Sequence, residues 1–124
     1  VTLDQIGDDN YASFQQAETA IGATGGGGKS NSAMLTQDGN ENVSRLSQSV
    51  SKVGDLSEAT ITQDGNENVL AGLSGSPSFA RQDNSTLTLI QSGNANSAYV
   101  DQTDGTATIT QSGTANTATV EQQP

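Results

Sequence analysis

The octapeptide "TQDGNENV" occurs twice, at Thr36–Val43 and again at Thr62–Val69. Five of its eight residues are Gln, Asp, Asn or Glu. Two readings compete: a loop that binds a hard cation, or the turn of a unit that the chain uses repeatedly. The residues on either side decide between them.

Aligning the chain on Gln-x-Gly-x-x-Asn gives five units. The leading glutamines are Gln5, Gln37, Gln63, Gln91 and Gln111. Gly7, Gly39, Gly65, Gly93 and Gly113 follow two residues later, and Asn10, Asn42, Asn68, Asn96 and Asn116 three after that. A second glutamine stands six residues beyond the Asn in four units, as Gln16, Gln48, Gln102 and Gln122; Ser74 holds that place in the third.

Residues before each leading Gln alternate, as in "VTLDQ", "AMLTQ", "ATITQ" and "LTLIQ". After the Asn the same period of two returns, with Phe14, Leu46, Gly72, Val100 and Val120 at matching places. Alternation of this kind is a strand signal, and its parity puts Gln, Asn and the apolar side chains on one face. The Gly-x-x segment between reverses the chain, because Gly reaches backbone conformations that other residues avoid.

A single strand–arch–strand unit is too thin to fold alone. The chain is therefore expected to be all-β: a β-solenoid of five stacked strand–arch–strand repeats forming two parallel, in-register, cross-β-like sheets. The single domain, residues 1–124, holds units at about 1–16, 33–48, 59–74, 87–102 and 107–122. Insertions at 17–32, 49–58 and 75–86 are expected to bulge from one corner of the column. At ~4.8 Å per layer, five layers span roughly 24 Å. Stacked carboxamides can pass hydrogen bonds from layer to layer, and a buried amide left unpaired costs ~1–3 kcal/mol. The inward Gln and Asn are thus expected to be assembly ladders, with the arch glycines and inner Leu, Ile and Val in support.

Composition agrees with a structural role. The 124 residues are 31% hydrophobic and 3% aromatic, too lean for a conventional core, yet Pro occurs only twice, unlike a typical disordered chain. The net charge of −10 sets fourteen acids against Lys29, Arg45, Lys52 and Arg81. That balance offers nothing to nucleic acid and little to an anionic membrane, and no apolar run is long enough to span one. Without His or Cys, the commonest nucleophiles, general bases and transition-metal ligands are missing. No enzymatic activity and no cofactor are expected.

Three sharper motifs dissolve on inspection. "ATGGGGKS" at Ala23–Ser30 imitates a phosphate loop, but a strand-like "NSAMLTQ" follows where that loop needs a helix. "DGNEN" imitates the start of a calcium loop, but Val43 and Val69 stand where it needs Gly, and Ser49 and Gly75 where it needs Glu. Only weak adsorption of calcium by surface carboxylates stays open. Thr60-x-Thr62 and Thr108-x-Thr110 suggest an ice-binding array, but Asp4, Met34 and Ile90 break it, and the β-propensity of Thr accounts for the pairs.

These residues resemble the curlin repeat, Gln-x-Gly-x-x-Asn-x-Ala-x-x-x-Gln. "QIGDDNYASFQQ", "QSGNANSAYVDQ" and "QSGTANTATVEQ" match every defined position; the second unit has Ser44 for Ala, and the third has Leu70 and Ser74. The spacings of 32, 26, 28 and 20 residues depart from the near-uniform repeats of that family, and "TDGT" alone reads as a tight turn between units. The resemblance implies a secreted, curli-like amyloid subunit in the extracellular fibres of a bacterial biofilm matrix. It further implies export through an outer-membrane secretion channel after loss of a signal peptide, and a nucleator subunit as partner. The first strand begins at Val1 and the last unit finishes at Gln122, so both edges are expected to be bare and to take further copies. The rival expectation is a soluble monomeric β-solenoid binding ice, glycan or a surface through its outer face.

Overall fold

A computed structural model of the chain describes residues 1–18, 31–50 and 56–124. Eleven strands run along it: β1 Thr2–Ile6, β2 Tyr11–Glu18, β3 Ser32–Asp38, β4 Val43–Val50, β5 Glu58–Asp64, β6 Val69–Ala71, β7 Ala80–Asp83, β8 Thr86–Asn94, β9 Ser97–Thr103, β10 Thr106–Thr114 and β11 Thr117–Gln122. They form two sheets. One is ordered β1-β3-β5-β8-β10; the other is ordered β2-β4-β6-β9-β11, with β7 also pairing β4 and β9. Every pairing is parallel. The chain is a β-solenoid of five layers stacked in sequence order.

The period of two sets which residues go inside. Along β3 and β5, exposed and buried positions alternate, with Ala33, Leu35 and Gln37 inward in one and Ala59, Ile61 and Gln63 in the other. In-register pairing then stacks like on like: Leu35 on Ile61 and Leu89, Gln37 on Gln63 and Gln91. The inner faces of the two sheets meet in one apolar core, completed by Leu46, Leu70, Leu87, Ala98 and Val100. Each fully buried Leu or Ile contributes ~1.5–3 kcal/mol relative to exposure. The first layer is the least covered: Leu3 is 47% exposed, whereas its register partner Leu35 is fully buried.

The third unit departs from the expected boundaries. Unit 59–74 followed by an insertion at 75–86 placed Gly72 inside and Ser74 at the position of the second glutamine, leaving that rung without a ladder residue. Instead the chain leaves the sheet after Ala71 and returns at Ala80, so that Ala80 is the register partner of Leu46 and Gln82 that of Gln48 and Gln102. The detour closes on itself through Gly72 N–H to Ser78 O at 3.1 Å and Gly75 N–H to Gly72 O at 2.8 Å. Gly72 is required where the two ends of the loop cross, since a Cβ there would run into the Phe79 carbonyl. The physical reason for the correction is amide pairing: a Ser in that buried column cannot replace the hydrogen bonds of Gln82.

Other insertions are shorter than their expected ranges. β2 runs on to Glu18 and β4 to Val50, and these ends are paired with each other through Ala17 to Ser49 and Glu18 to Val50. The phosphate-loop lookalike, Ala23–Ser30, and the centre of the second insertion, residues 51–55, lie outside the described residues.

Candidate functional site

Gln5, Gln37, Gln63, Gln91 and Gln111 form a continuous ladder up the first sheet. Each Nε2 donates to the Oε1 of the next layer, at 2.6, 2.7, 2.9 and 2.8 Å. The second N–H of each from Gln37 onward crosses the core to a backbone carbonyl of the layer below: Tyr11, Val43, Val69 and Ser97, at 3.0–3.3 Å. One side chain therefore ties two layers and two sheets. Ser44, the departure from Ala in the second unit, is accommodated by donating to Gln63 Oε1 at 2.9 Å.

The asparagine ladder runs in the opposite sense. Asn42, Asn68, Asn96 and Asn116 each donate a backbone N–H and Nδ2 downward to the Oδ1 of Asn10, Asn42, Asn68 and Asn96, at 3.0–3.1 Å. Their Nδ2 groups also reach up to the arch glycine carbonyls: Asn10 to Gly39, Asn42 to Gly65, Asn68 to Gly93 and Asn96 to Gly113, at 2.8–3.1 Å. Asn is the right length for this work because its amide must bond both its neighbour and the arch.

On the second sheet, Gln16 donates to Gln48 at 2.8 Å, Gln48 to Gln82 at 3.2 Å and Gln102 to Gln122 at 2.8 Å. The step from Gln82 to Gln102 is broken. Gln82 Nε2 turns to Glu58 O at 3.3 Å, and Gln102 Oε1 is buried without a hydrogen bond among the described residues. The break falls in the layer that carries the Gly72–Phe79 detour.

The arches hold two features that the sequence reading missed. Gly7, Gly39, Gly65, Gly93 and Gly113 all have φ between 102° and 113°, and Asp9, Glu41, Glu67, Ala95 and Ala115 each take φ near 55°. Each arch thus turns on two left-handed residues. A Cβ on Gly39 would strike the carbonyl of Gly65 in the layer above, so stacking enforces glycine as firmly as φ does. A further exposed ladder joins Asp8 N–H to Asn40 Oδ1, and Asn40 and Asn66 to the Oδ1 of Asn66 and Asn94, at 2.9–3.2 Å. Asn directly after Gly in three of five units was its visible signal.

Outside the ladders, charge is sparse and solvated. Arg45 lies over the Tyr11 ring at 4.3 Å from its centroid, and Arg81 pairs Asp101 at 3.5 Å with its side chain 71% exposed. Among the described residues no group of three or more Asp or Glu is placed to hold a metal ion.

With this geometry established, comparison with known proteins gives one family. The model of the curlin associated repeat matches residues 28–65 and 83–106, together half of the chain. Neither curated proteins nor solved structures give a match. The matched segments carry Gln37, Asn42, Gln48 and Gln63 in one block and Gln91, Asn96 and Gln102 in the other, the residues that build the ladders; the chain belongs to the curlin-repeat family.

Proposed function

We propose that the protein is a structural subunit of an extracellular, curli-like amyloid fibre of a bacterial biofilm matrix, growing by head-to-tail stacking of whole molecules. The observation that carries this reading is the complementarity of the first and fifth layers. Extending the register of the pairings by one step sets Leu3 on Ile109, Gln5 on Gln111, Gly7 on Gly113, Asn10 on Asn116, Phe14 on Val120 and Gln16 on Gln122. The polar groups match in direction. Gln111 Nε2 donates to Ser97 O and keeps a second N–H for the Oε1 of Gln5 above it. Asn116 Oδ1 is left to accept from the Asn10 N–H, as Asn96 Oδ1 does from Asn116.

Two upper edges meeting would set Gln donor against Gln donor and Asn acceptor against Asn acceptor. Growth is therefore polar, and an unclosed head-to-tail contact yields a filament. Family membership supports the extracellular setting, and a nucleator and a secretion channel are the partners it brings with it.

Incubation of the purified chain tests the reading. Thioflavin-positive filaments are expected, with a ~4.8 Å repeat along the axis and one molecule per roughly 24 Å of column. A chain that stays monomeric by light scattering through prolonged incubation overturns it and favours a monomeric surface-binding solenoid.

A further inference from the structure

Residues Gly72–Phe79 leave the second sheet in its third layer, and the stack allows them one way out. Layers ~4.8 Å apart leave no room toward the second layer or the fourth. The inner side is filled by Leu46, Leu70 and Val100. The loop therefore stands on the outer face. Ala71 bears this out: it follows the inward Leu70 and points outward, yet it is fully buried and lies outside the apolar core. Hydrogen bonds within the loop hold its shape, from Gly72 N–H to Ser78 O at 3.1 Å and from Ser78 N–H to Gly75 O at 2.8 Å. Leu73, Ser74, Ser76 and Pro77 are exposed. End-to-end growth gives no reason for this loop. It makes pairing with the second layer skip Arg45, and it sits where the Gln82–Gln102 rung is broken, with Gln102 Oε1 unbonded among the described residues.

The two outer faces are protected unequally by charge. The first carries Asp4, Asp38, Glu58 and Asp64, all exposed, and no cation among the described residues. Two copies of that face repel. On the second, Arg45 and Arg81 offset most of the charge of Asp83, Asp101 and Glu121. Its outward columns are otherwise short, β-branched or aromatic, with Val43, Val69, Ser97 and Thr117 stacked in one and Tyr99 and Thr119 in the next. In-register sheets of such side chains close on one another as dry zippers unless something stands between them.

We infer that the Gly72–Phe79 loop is that obstacle: a steric guard that keeps the second sheet of one column from closing on a sheet of another. Face-to-face sheets sit ~10 Å apart, with side chains from both filling the gap. A loop of eight residues that runs out and back reaches about 10 Å at ~3.3 Å per residue, so it occupies the gap by itself. In a column it recurs every five layers, about 24 Å, which leaves no long run of layers bare. Charge keeps first sheets apart and the loop keeps the second sheet uncovered, so the columns stay single.

The inference rests on the proposed stacking, and its test separates the two. Mass per length is measured by scanning transmission electron microscopy on filaments of the parent chain and of a variant that lacks Gly72–Phe79 and joins Ala71 to Ala80. That deletion sets Gln82 at the spacing from Asn68 that Gln48 has from Asn42, so stacking is retained. The parent is expected to give single columns, one molecule per roughly 24 Å, and the deletion paired columns of about twice that mass per length. Ser47→Glu/Thr119→Glu, which charges the bared face, is expected to return the deletion variant to single columns. A second variant, in which two glycines replace Leu73–Pro77, keeps the base of the loop and is expected to raise the paired fraction; it decides the matter if the full deletion does not assemble. Parent filaments already paired, loop variants that stay single, or pairing that survives the added Glu overturn the guard and leave stacking intact; absence of parent filaments overturns both.

Discussion

Leucine replacing one ladder glutamine tests the stacking at its root, because the outcome depends on which rung is changed. Gln91 is fully buried and accepts from Gln63, donates to Gln111 and donates to Val69 O. Gln91→Leu leaves an N–H of Gln63 and the Oε1 of Gln111 without partners and removes the bond to the Val69 carbonyl. At ~1–2 kcal/mol each, offset by the apolar burial that Leu gains, the net cost is about 2–4 kcal/mol. Gln5 in an isolated molecule is exposed and makes one amide bond, to Gln37. Gln5→Leu in a free chain should therefore cost no more than ~1 kcal/mol. Inside the proposed column Gln5 is an interior rung: it gains Gln111 below it and the Thr117 carbonyl across the core, the environment that Gln91 has within the chain. The soluble concentration left at the assembly plateau reports this free energy directly. Gln5→Leu, which costs about 1–3 kcal/mol more in the column than in the free chain, should raise it roughly 5- to 140-fold at tenfold per 1.4 kcal/mol. Gln91→Leu, whose bonds are made in the free folded chain as well, should leave it nearly unchanged. If Gln5→Leu leaves the residual concentration unchanged, the edges do not complete one another and the stacking argument fails.

Three further outcomes follow from the arches, the third unit and the surface. Gly65→Ala forces a Cβ against the Gly93 carbonyl at φ 113° and should cost at least ~3 kcal/mol, whereas Gly75→Ala, at φ 75° with open space around it, should cost ~1 kcal/mol; urea midpoints followed by β-sheet circular dichroism separate them. Gln82→Ser should cost about 2 kcal/mol by removing its bonds to Gln48 and Glu58, while Ser74→Gln, on an exposed loop, should stay within ~0.5 kcal/mol, by the same melts. Arg81→Ala should shift stability by less than about 0.5 kcal/mol, and the shift should shrink from low salt to 0.5 M, because the Arg81 side chain is largely in water and salt screens the pair.

Most of the column was legible because two periods coincide in the sequence. The period of two sorts Leu35, Ile61 and Leu89 inward, and the recurrence of Gln-x-Gly-x-x-Asn brings them into line. Parallel in-register pairing follows when each repeat can bond only a copy of itself. The third unit was misread for the reason that makes repeats readable: counting residues assumes an unbroken strand. Between Asn68 and Gln82 the chain makes an eight-residue detour, Gly72–Phe79, and counting put Ser74 where Gln82 sits. Physical chemistry offered a second route, since a buried carboxamide column tolerates a Ser poorly and a Gln stood eight residues further on. The paired left-handed arch positions were invisible to residue type. Glu41 and Ala95 have no preference for φ near 55° and adopt it where their N–H groups donate to the arch carbonyls of the layer below, Asp8 O at 3.0 Å and Asn66 O at 2.9 Å.

The distribution of acids bears on why growth between molecules should resemble growth within one. Inside the chain, Asp38 lies in register on Asp64, and Glu41 and Glu67 take the same arch position in adjacent layers. Two unit charges ~5 Å apart cost about 0.8 kcal/mol even at the dielectric of water, so the second and third layers meet against a real repulsion. They are joined by a single linker, and the effective concentration it imposes is in the millimolar range. The step between molecules has no such help. In the proposed stack it sets Asp4 on Thr110, Asp8 on Thr114, Asp9 on Ala115 and Gln15 on Glu121, with no acid directly on an acid. Asp9 and Glu41 share an arch position, and Glu121 lies on Asp101. Like-charge stacking thus recurs at several steps that the covalent chain enforces, whereas the step that must form at dilute concentration is free of it.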